Sequence, residues 1–142
     1  MNVEAVMFAN RAAIEGSMLT VKGAGWEHFD VRFFPSTVRG FVAGVLTIDS
    51  DQHGQLLPVV LEVFDEEGHV ERTRASIVAI GTRPATVPGV PYRMPFAIAF
   101  TSVVRAQTVV KARLHAEEGE LAVITFAVRG AAPDAPPADL LG

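Results

Sequence analysis

The placement of glycine and proline is the feature that most constrains how this chain can fold. Twelve glycines and nine prolines divide its 142 residues into short segments that are rich in Val, Ile, Phe and Thr. Such regular spacing is typical of all-β sandwiches and barrels. We therefore predict an all-β fold, a single antiparallel β-sandwich of eight or nine strands with an immunoglobulin-like or C2-like layout; closure into a barrel is the alternative. The predicted strands are residues 3–9, 18–24, 26–34, 38–48, 56–64, 69–79, 94–103, 107–116 and 120–128.

Alternating hydrophobicity supports these strands, because successive side chains of a strand point to opposite faces. In residues 107–116, three apolar side chains share one face and three basic ones share the other: Val110, Ala112 and Leu114 against Lys111, Arg113 and His115. Residues 56–64 are apolar on both faces apart from Glu62. This second pattern predicts a central strand.

Turn residues separate the predicted strands. Asp65–Gly68 and Glu117–Glu120 each supply a glycine for a hairpin turn. Residues 49–54 form a longer loop, and the proline-rich residues 81–91 are long enough to cross from one sheet to the other. Residues 10–16 alone have a helical tendency; one turn of helix or a loop accounts for them, because a glycine ends the stretch.

Length and composition limit the class of protein. A chain of 142 residues predicts one domain, here residues 1–130, followed by an Ala/Pro-rich tail at 131–142. The absence of cysteine excludes disulfides, thiolate metal sites and a cysteine nucleophile. A net charge of −4 argues against nucleic-acid or anionic-membrane binding. The first residues lack a basic region and no long apolar window follows, so we predict neither a secretory signal nor a membrane span. We therefore predict a cytoplasmic location.

No catalytic motif is recognisable. The chain has neither a Gly-x-Ser-x-Gly turn nor a Ser-x-x-Lys motif. Gly23-Ala24-Gly25 opens no predicted helix, so a tight turn or bulge explains it better than a phosphate-binding loop does. We therefore predict no enzymatic activity and no cofactor.

One loop carries a weak metal-binding pattern. Asp49, Asp51 and His53 alternate, and three oxygen or nitrogen donors at this spacing can begin a divalent-metal site. A second acidic group, Asp65–Glu67, follows the other end of predicted strand 56–64, roughly 30 Å away at the usual rise of a strand. The two groups therefore cannot share an ion, and a solvated acidic loop is the simpler interpretation.

Predicted strand 26–34 carries the most distinctive surface. Its apolar face holds Phe29, Val31 and Phe33, and its polar face holds Trp26, His28, Asp30 and Arg32. Trp and Arg are enriched at protein interfaces, so this polar face is a candidate interaction surface; packing beneath the N-terminal segment or the tail is the alternative. Two further strands carry basic residues, Arg72 and Arg74 on one and Lys111 and Arg113 on the other. If these strands were adjacent they would form a basic stripe, although a solvated face is the simpler interpretation.

Several short motifs follow one another along the chain: Val6–Asn10, Gly16–Trp26, Phe34-Pro35, His53 and Asp65–Gly68. Together they resemble an uncharacterised family of small bacterial β-sandwich proteins, the domain of unknown function DUF6941. Asn10 stands where that family usually has Asp. The resemblance implies a β-sandwich from a bacterium, and it implies no activity and no site residues.

These observations favour a non-catalytic interaction or structural module. Such a module presents a sheet face, an edge strand or end loops to a protein partner or to a second copy of itself. One alternative is a small-ligand or metal-dependent enzyme that uses the end loop Asp49–His53. Another is an accessory subunit of a larger bacterial assembly.

Overall fold

The computed structural model describes residues 1–16, 18–49, 56–78 and 92–130, with residues 70–78 described by their backbone. Within these ranges the chain is all-β, as predicted, and no helix is long and apolar enough to cross a membrane. The strands are β1 (Asn2–Glu15), β2 (Met18–Ala24), β3 (His28–Val31), β4 (Ser36–Ile48), β5 (Leu56–Phe64), β6 (Val70–Val78), β7 (Tyr92–Val104), β8 (Thr108–Ala116) and β9 (Gly119–Gly130).

The strands form two sheets. Sheet A has the order β2-β1-β4-β7, and sheet B has the order β3-β9-β8-β5-β6. Neighbouring strands are antiparallel except β3 and β9, which run parallel from the His28–Ala127 pair to the Val31–Gly130 pair. The prediction of a purely antiparallel arrangement is therefore wrong at this edge. The chain leaves sheet A after β2, adds β3 to sheet B and returns to sheet A in β4, so no hairpin fixes the direction of β3.

The main hydrophobic core lies between the two sheets. Sheet A contributes Phe8, Val38, Val42, Leu46, Phe96, Ile98, Phe100 and Val104, and sheet B contributes Val31, Val59, Leu61, Val63, Val110, Ala112, Leu114, Phe126 and Val128. The predicted inward face of β8 is confirmed. The central position of β5 is also confirmed, because β5 pairs with β6 on one side and with β8 on the other. Burial of each large side chain stabilises the fold by about 1.5–3 kcal/mol.

The first hairpin corrects the prediction for residues 10–16. These residues continue β1 as a strand, and Ile14 pairs with Leu19 across the turn in register. Gly16 adopts φ of 64°, which suits a tight turn between two strands. Cross-strand pairing therefore overrides the weak local tendency towards helix.

Strand β3 is shorter than the predicted strand 26–34, and two side chains differ as a result. Val31 lies in the core as predicted, but Phe33, which follows the end of the strand, is 70% exposed. Trp26 precedes the strand and contacts Phe29, at 5.3 Å between ring centroids, although alternation placed the two on opposite faces. The rule of alternation applies only inside a strand, which explains both errors.

Both predicted hairpin turns are present. The turn that contains Gly68 joins β5 to β6, and the turn at Gly119 joins β8 to β9. Both glycines have positive φ, at 87° and 136° respectively. The predicted crossover 81–91, the tail 131–142 and most of the loop 49–54 lie outside the described residues.

Candidate interaction surface

The outer face of sheet B gathers several chemically distinctive side chains. Strands β5, β8 and β9 bury alternate residues in the core, so the residues between them point outwards. We call this surface face B; it consists of Val60, Glu62, Phe64, Val109, Lys111, Arg113, His115, Val123, Thr125 and Ala127. The predicted outward face of β8 is therefore confirmed.

Glu62 is the electrostatic centre of face B. Its side chain is only 12% exposed, and its Oε1 atom lies 2.7 Å from Nε2 of His115 and 3.7 Å from Nη2 of Arg113. The register of β5 and β8 places Glu62 opposite Arg113. Such partners are needed, because a buried carboxylate without a partner costs several kcal/mol. Arg113 also reaches Glu120, with 4.0 Å between Nη1 and the carboxylate.

Phe64 supports the two basic side chains of β8. The Nζ atom of Lys111 lies 5.8 Å from the centroid of the Phe64 ring, and the guanidinium carbon of Arg113 lies 5.7 Å from it. A cation above an aromatic ring gains about 0.5–1 kcal/mol at an exposed site. The ring therefore holds both cations near the sheet surface.

Strand β5 separates the two pairs of residues in the predicted basic stripe. The register pairs Arg72 with Glu62 and Arg74 with Val60, and it pairs the same two β5 residues with Arg113 and His115 of β8 on the other side. The adjacency that a continuous basic stripe requires is therefore not met. These register positions nevertheless place basic residues of β6 and β8 on one face, on either side of the carboxylate of Glu62.

The predicted interaction surface on residues 26–34 is divided by the structure. His28 is exposed on β3 and pairs in register with Ala127, so it lies at the edge of face B. Asp30 lies on the same strand and accepts a hydrogen bond of 3.0 Å from Nε of Arg129. Arg32 is exposed beyond the end of β3. His28 and Asp30 therefore extend face B.

Trp26 packs into the body of the protein. Its ring lies 5.9 Å from that of Phe8 and 5.4 Å from that of Phe126, measured between centroids. Its Nε1 atom donates a 2.9 Å hydrogen bond to the carbonyl oxygen of Gly23. A Cβ atom on Gly40 would collide with the Trp26 ring, so this glycine makes room for the indole. The structure thus favours the packing role for Trp26.

The predicted metal-binding loop is described only at Asp49, which is exposed; Asp51 and His53 lie outside the described residues. Within the described ranges, a different group brings possible ligands together. One ligand atom from each of Asp65, Glu67 and His69 lies within 4.8 Å of the others. This group was foreseen only in its acidic part.

The carboxylate of Asp65 is already used to hold the turn after β5. Its Oδ1 atom accepts hydrogen bonds from the amides of Glu67, at 2.9 Å, and His69, at 3.1 Å, and its Oδ2 atom lies 3.1 Å from Nδ1 of His69. Burial opposes ionisation of this carboxyl, but the hydrogen bonds and the charge of His69 outweigh it and lower the pKa of Asp65 below its ordinary value of 3.8. The geometry is that of a turn held by a carboxylate.

Sequence reasoning missed the pairing of Glu62 with His115, which are 53 positions apart. The available signal was a single acidic residue in an otherwise apolar strand, because a carboxylate placed there requires a partner. The sequence could not identify His115 as that partner, since the identification needs the register between β5 and β8.

Comparisons of this chain with protein-family models, with curated proteins and with solved structures find no match. The resemblance to DUF6941 stays a prediction.

Proposed function

We propose that this protein is a non-catalytic interaction module, and that face B binds an acidic segment of a protein partner. We also propose that its two packed sheets form a β-sandwich of the immunoglobulin-like or C2-like type. The observation that carries the binding proposal is the pair of cations, Lys111 and Arg113, that one strand presents above the ring of Phe64.

The charge balance of face B supports an acidic partner. By register, four basic residues, Lys111, Arg113, Arg72 and Arg74, stand against two acidic ones, Glu62 and Glu120. At the edge of this face, Asp30 and Arg129 balance each other as an ion pair. The chain as a whole has a net charge of −4, so this local excess of positive charge runs against the average. Complementary charge mainly accelerates association and selects the partner.

The position of these cations supports binding by a preformed surface. Strand β8 lies between β9 and β5, so its backbone is paired on both sides. Arg113 is further fixed by Glu62 and Glu120. Side chains held in this way lose little conformational entropy when a partner binds. Val109 and Val123, each 40% exposed, add apolar contact area beside the charges.

Fluorescence anisotropy with a labelled deca-glutamate peptide tests this proposal. We expect saturable binding that weakens as salt rises, and no binding of a deca-lysine peptide. The double variant Lys111→Gln/Arg113→Gln should bind about tenfold more weakly, since an exposed ion pair contributes up to about 1 kcal/mol. Lys111→Gln alone, which leaves the Glu62 cluster intact, should bind about threefold more weakly.

The matched control is Arg105→Gln, which removes one exposed cation from the β7–β8 turn. It should bind like the unmodified protein. Equal binding by the control and the double variant, or the absence of binding by the unmodified protein, would refute the proposal.

A further inference from the structure

The outer face of sheet A, which we call face A, is apolar along its centre. Three rows of residues paired across β1, β4 and β7 point away from the core and carry no charge: Ala5, Val45 and Pro95; Met7, Ala43 and Ala97; and Ala9, Phe41 and Ala99. Five of these nine side chains are alanine, so another chain can approach the sheet closely. Ala5 and Ala99 are exposed, Ala9 and Ala43 are buried, and the other five are half-buried. A continuous apolar surface without charge is suited to contact with another segment of chain.

The two ends of face A differ in charge. At one end Arg93 donates a 2.8 Å hydrogen bond from Nε to Glu4, and this pair is neutral overall. At the other end lie three cations, since Arg11 pairs in register with Lys22, and Arg39 with Thr101. Among the described residues, none of these three cations makes an ion pair.

We propose that residues 131–142 of this same chain bind along face A, with Asp134 at the cationic end and Leu140 and Leu141 on the apolar rows. The segment contains two aspartates, two leucines and no basic residue. Its charge and its hydrophobicity therefore complement the two parts of face A. This inference is independent of the function proposed for face B.

The segment begins at the appropriate end of the molecule. The amide of Gly130 donates a 3.0 Å hydrogen bond to the side chain of Gln107, which lies in the turn between β7 and β8. At this end Ser36 of β4 pairs with Val104 of β7. Arg39 is three residues further along β4, so the described chain ends, at Gly130, at the same end of the molecule as the cations of face A.

The length of the segment also fits. In an extended, proline-rich conformation each residue advances the chain by about 3.1 Å, so the four residues from Gly130 to Asp134 span roughly 12 Å. Packed sheets are separated by about 10 Å. From Asp134 to Leu140 the span is roughly 19 Å, and the six residues from Arg39 to Val45 on β4 span about 20 Å.

Proline favours binding to a face over pairing with a strand edge. Three of the twelve residues, Pro133, Pro136 and Pro137, have no amide hydrogen. A strand that lacks these amide donors pairs poorly with the edge of a sheet. A polyproline-type segment instead packs its side chains on a flat apolar surface without needing backbone hydrogen bonds.

A single spin label tests this placement, because the chain has no cysteine of its own. We would attach the label to a Gly142→Cys variant and record the broadening of backbone amide NMR signals. The expected result is strong broadening at Met7, Ala43 and Ala97 and none at Val123 and Thr125. Broadening confined to face B, or none anywhere, would overturn the proposal.

A mixed sample separates this arrangement from one between two copies. Spin-labelled protein without nitrogen-15 is added to nitrogen-15 protein without the label, so that only contacts between molecules broaden signals. No broadening is expected, and broadening of face A here would show that a second copy covers it, against the proposal.

Two matched variants test the direction of the segment in the single-chain experiment. Asp134→Asn should weaken the broadening of face A signals about threefold. Asp139→Asn, roughly 15 Å further along the segment, should weaken it less, and equal effects would contradict the assigned direction.

Discussion

The two outer faces of this protein differ although both cover the same core. The centre of face A is built on five alanines with Met7, Phe41, Val45 and Pro95, and its charges lie at the two ends. Face B carries its charges at the centre, around the nearly buried carboxylate of Glu62. Both sheets bury alternate apolar side chains in the core, so the two faces differ only in their outward residues. The two faces therefore offer different chemistry to anything that contacts them.

Burial of outward residues sharpens the contrast. Ala9 and Ala43 are 0% exposed although they point away from the core. On face B, Thr125 and Val123 remain exposed beside Lys111 and Arg113. The centre of face A is thus uncharged and partly covered, while face B exposes polar and charged side chains.

The largest expected effect comes from placing one charge on each face. Ala43→Glu should lower the free energy of unfolding by about 3 kcal/mol or more, because it buries a carboxylate without a partner. The matched variant Thr125→Glu, placed in register with Lys111, should change it by less than about 0.5 kcal/mol. Urea denaturation followed by circular dichroism measures both. Similar losses of stability in the two variants would show that the two faces do not differ in the burial of their outward residues.

Removing a carboxylate from each face should give a smaller difference. Glu62→Ala leaves His115 and Arg113 without their shared acceptor, and we expect a loss of about 1–3 kcal/mol. Glu4→Ala breaks only the exposed contact with Arg93 and should leave the denaturation midpoint unchanged. The same urea experiment applies, and a larger loss for Glu4→Ala would show that charge on face A matters more than we infer.

The smallest effect concerns the turn that follows β5, one of the strands of face B. Because the pKa of Asp65 is lowered in the folded state, its stabilisation is present above the ordinary value of 3.8 and is lost as pH falls through the folded value. Asp65→Ala should therefore cost about 1 kcal/mol at neutral pH. The cost should shrink at pH values well below 3.8, as measured by thermal melts across that range. A cost that is constant with pH would contradict the role of the ionised carboxylate.

Much of the fold was predictable, because it rests on local patterns. The alternation in residues 107–116 placed Val110, Ala112 and Leu114 in the core, and Asp65–Gly68 marked a hairpin. The shortness of β3 and the extension of β1 to Glu15 were not predictable. The first depends on pairing with the distant strand β9, and the second on pairing with β2 across a hairpin. In both places cross-strand pairing overrides local tendency.

The candidate site was predictable only in part. Alternation put Lys111, Arg113 and His115 on one face, and it identified Glu62 as an unusual residue in an apolar strand. Their contacts depend on the register between β5 and β8, which no local pattern fixes. Face A was missed as well, since its rows join three strands that are far apart in sequence.

The most direct test of the account is an NMR titration of the nitrogen-15 labelled protein with deca-glutamate, following every backbone amide. We predict that the shifting signals form one patch on face B, around Lys111, Arg113 and Thr125, while Met7, Ala43 and Ala97 on face A stay in place. Shifts centred on face A, or spread evenly over both sheets, would contradict the assignment of the acidic partner to face B.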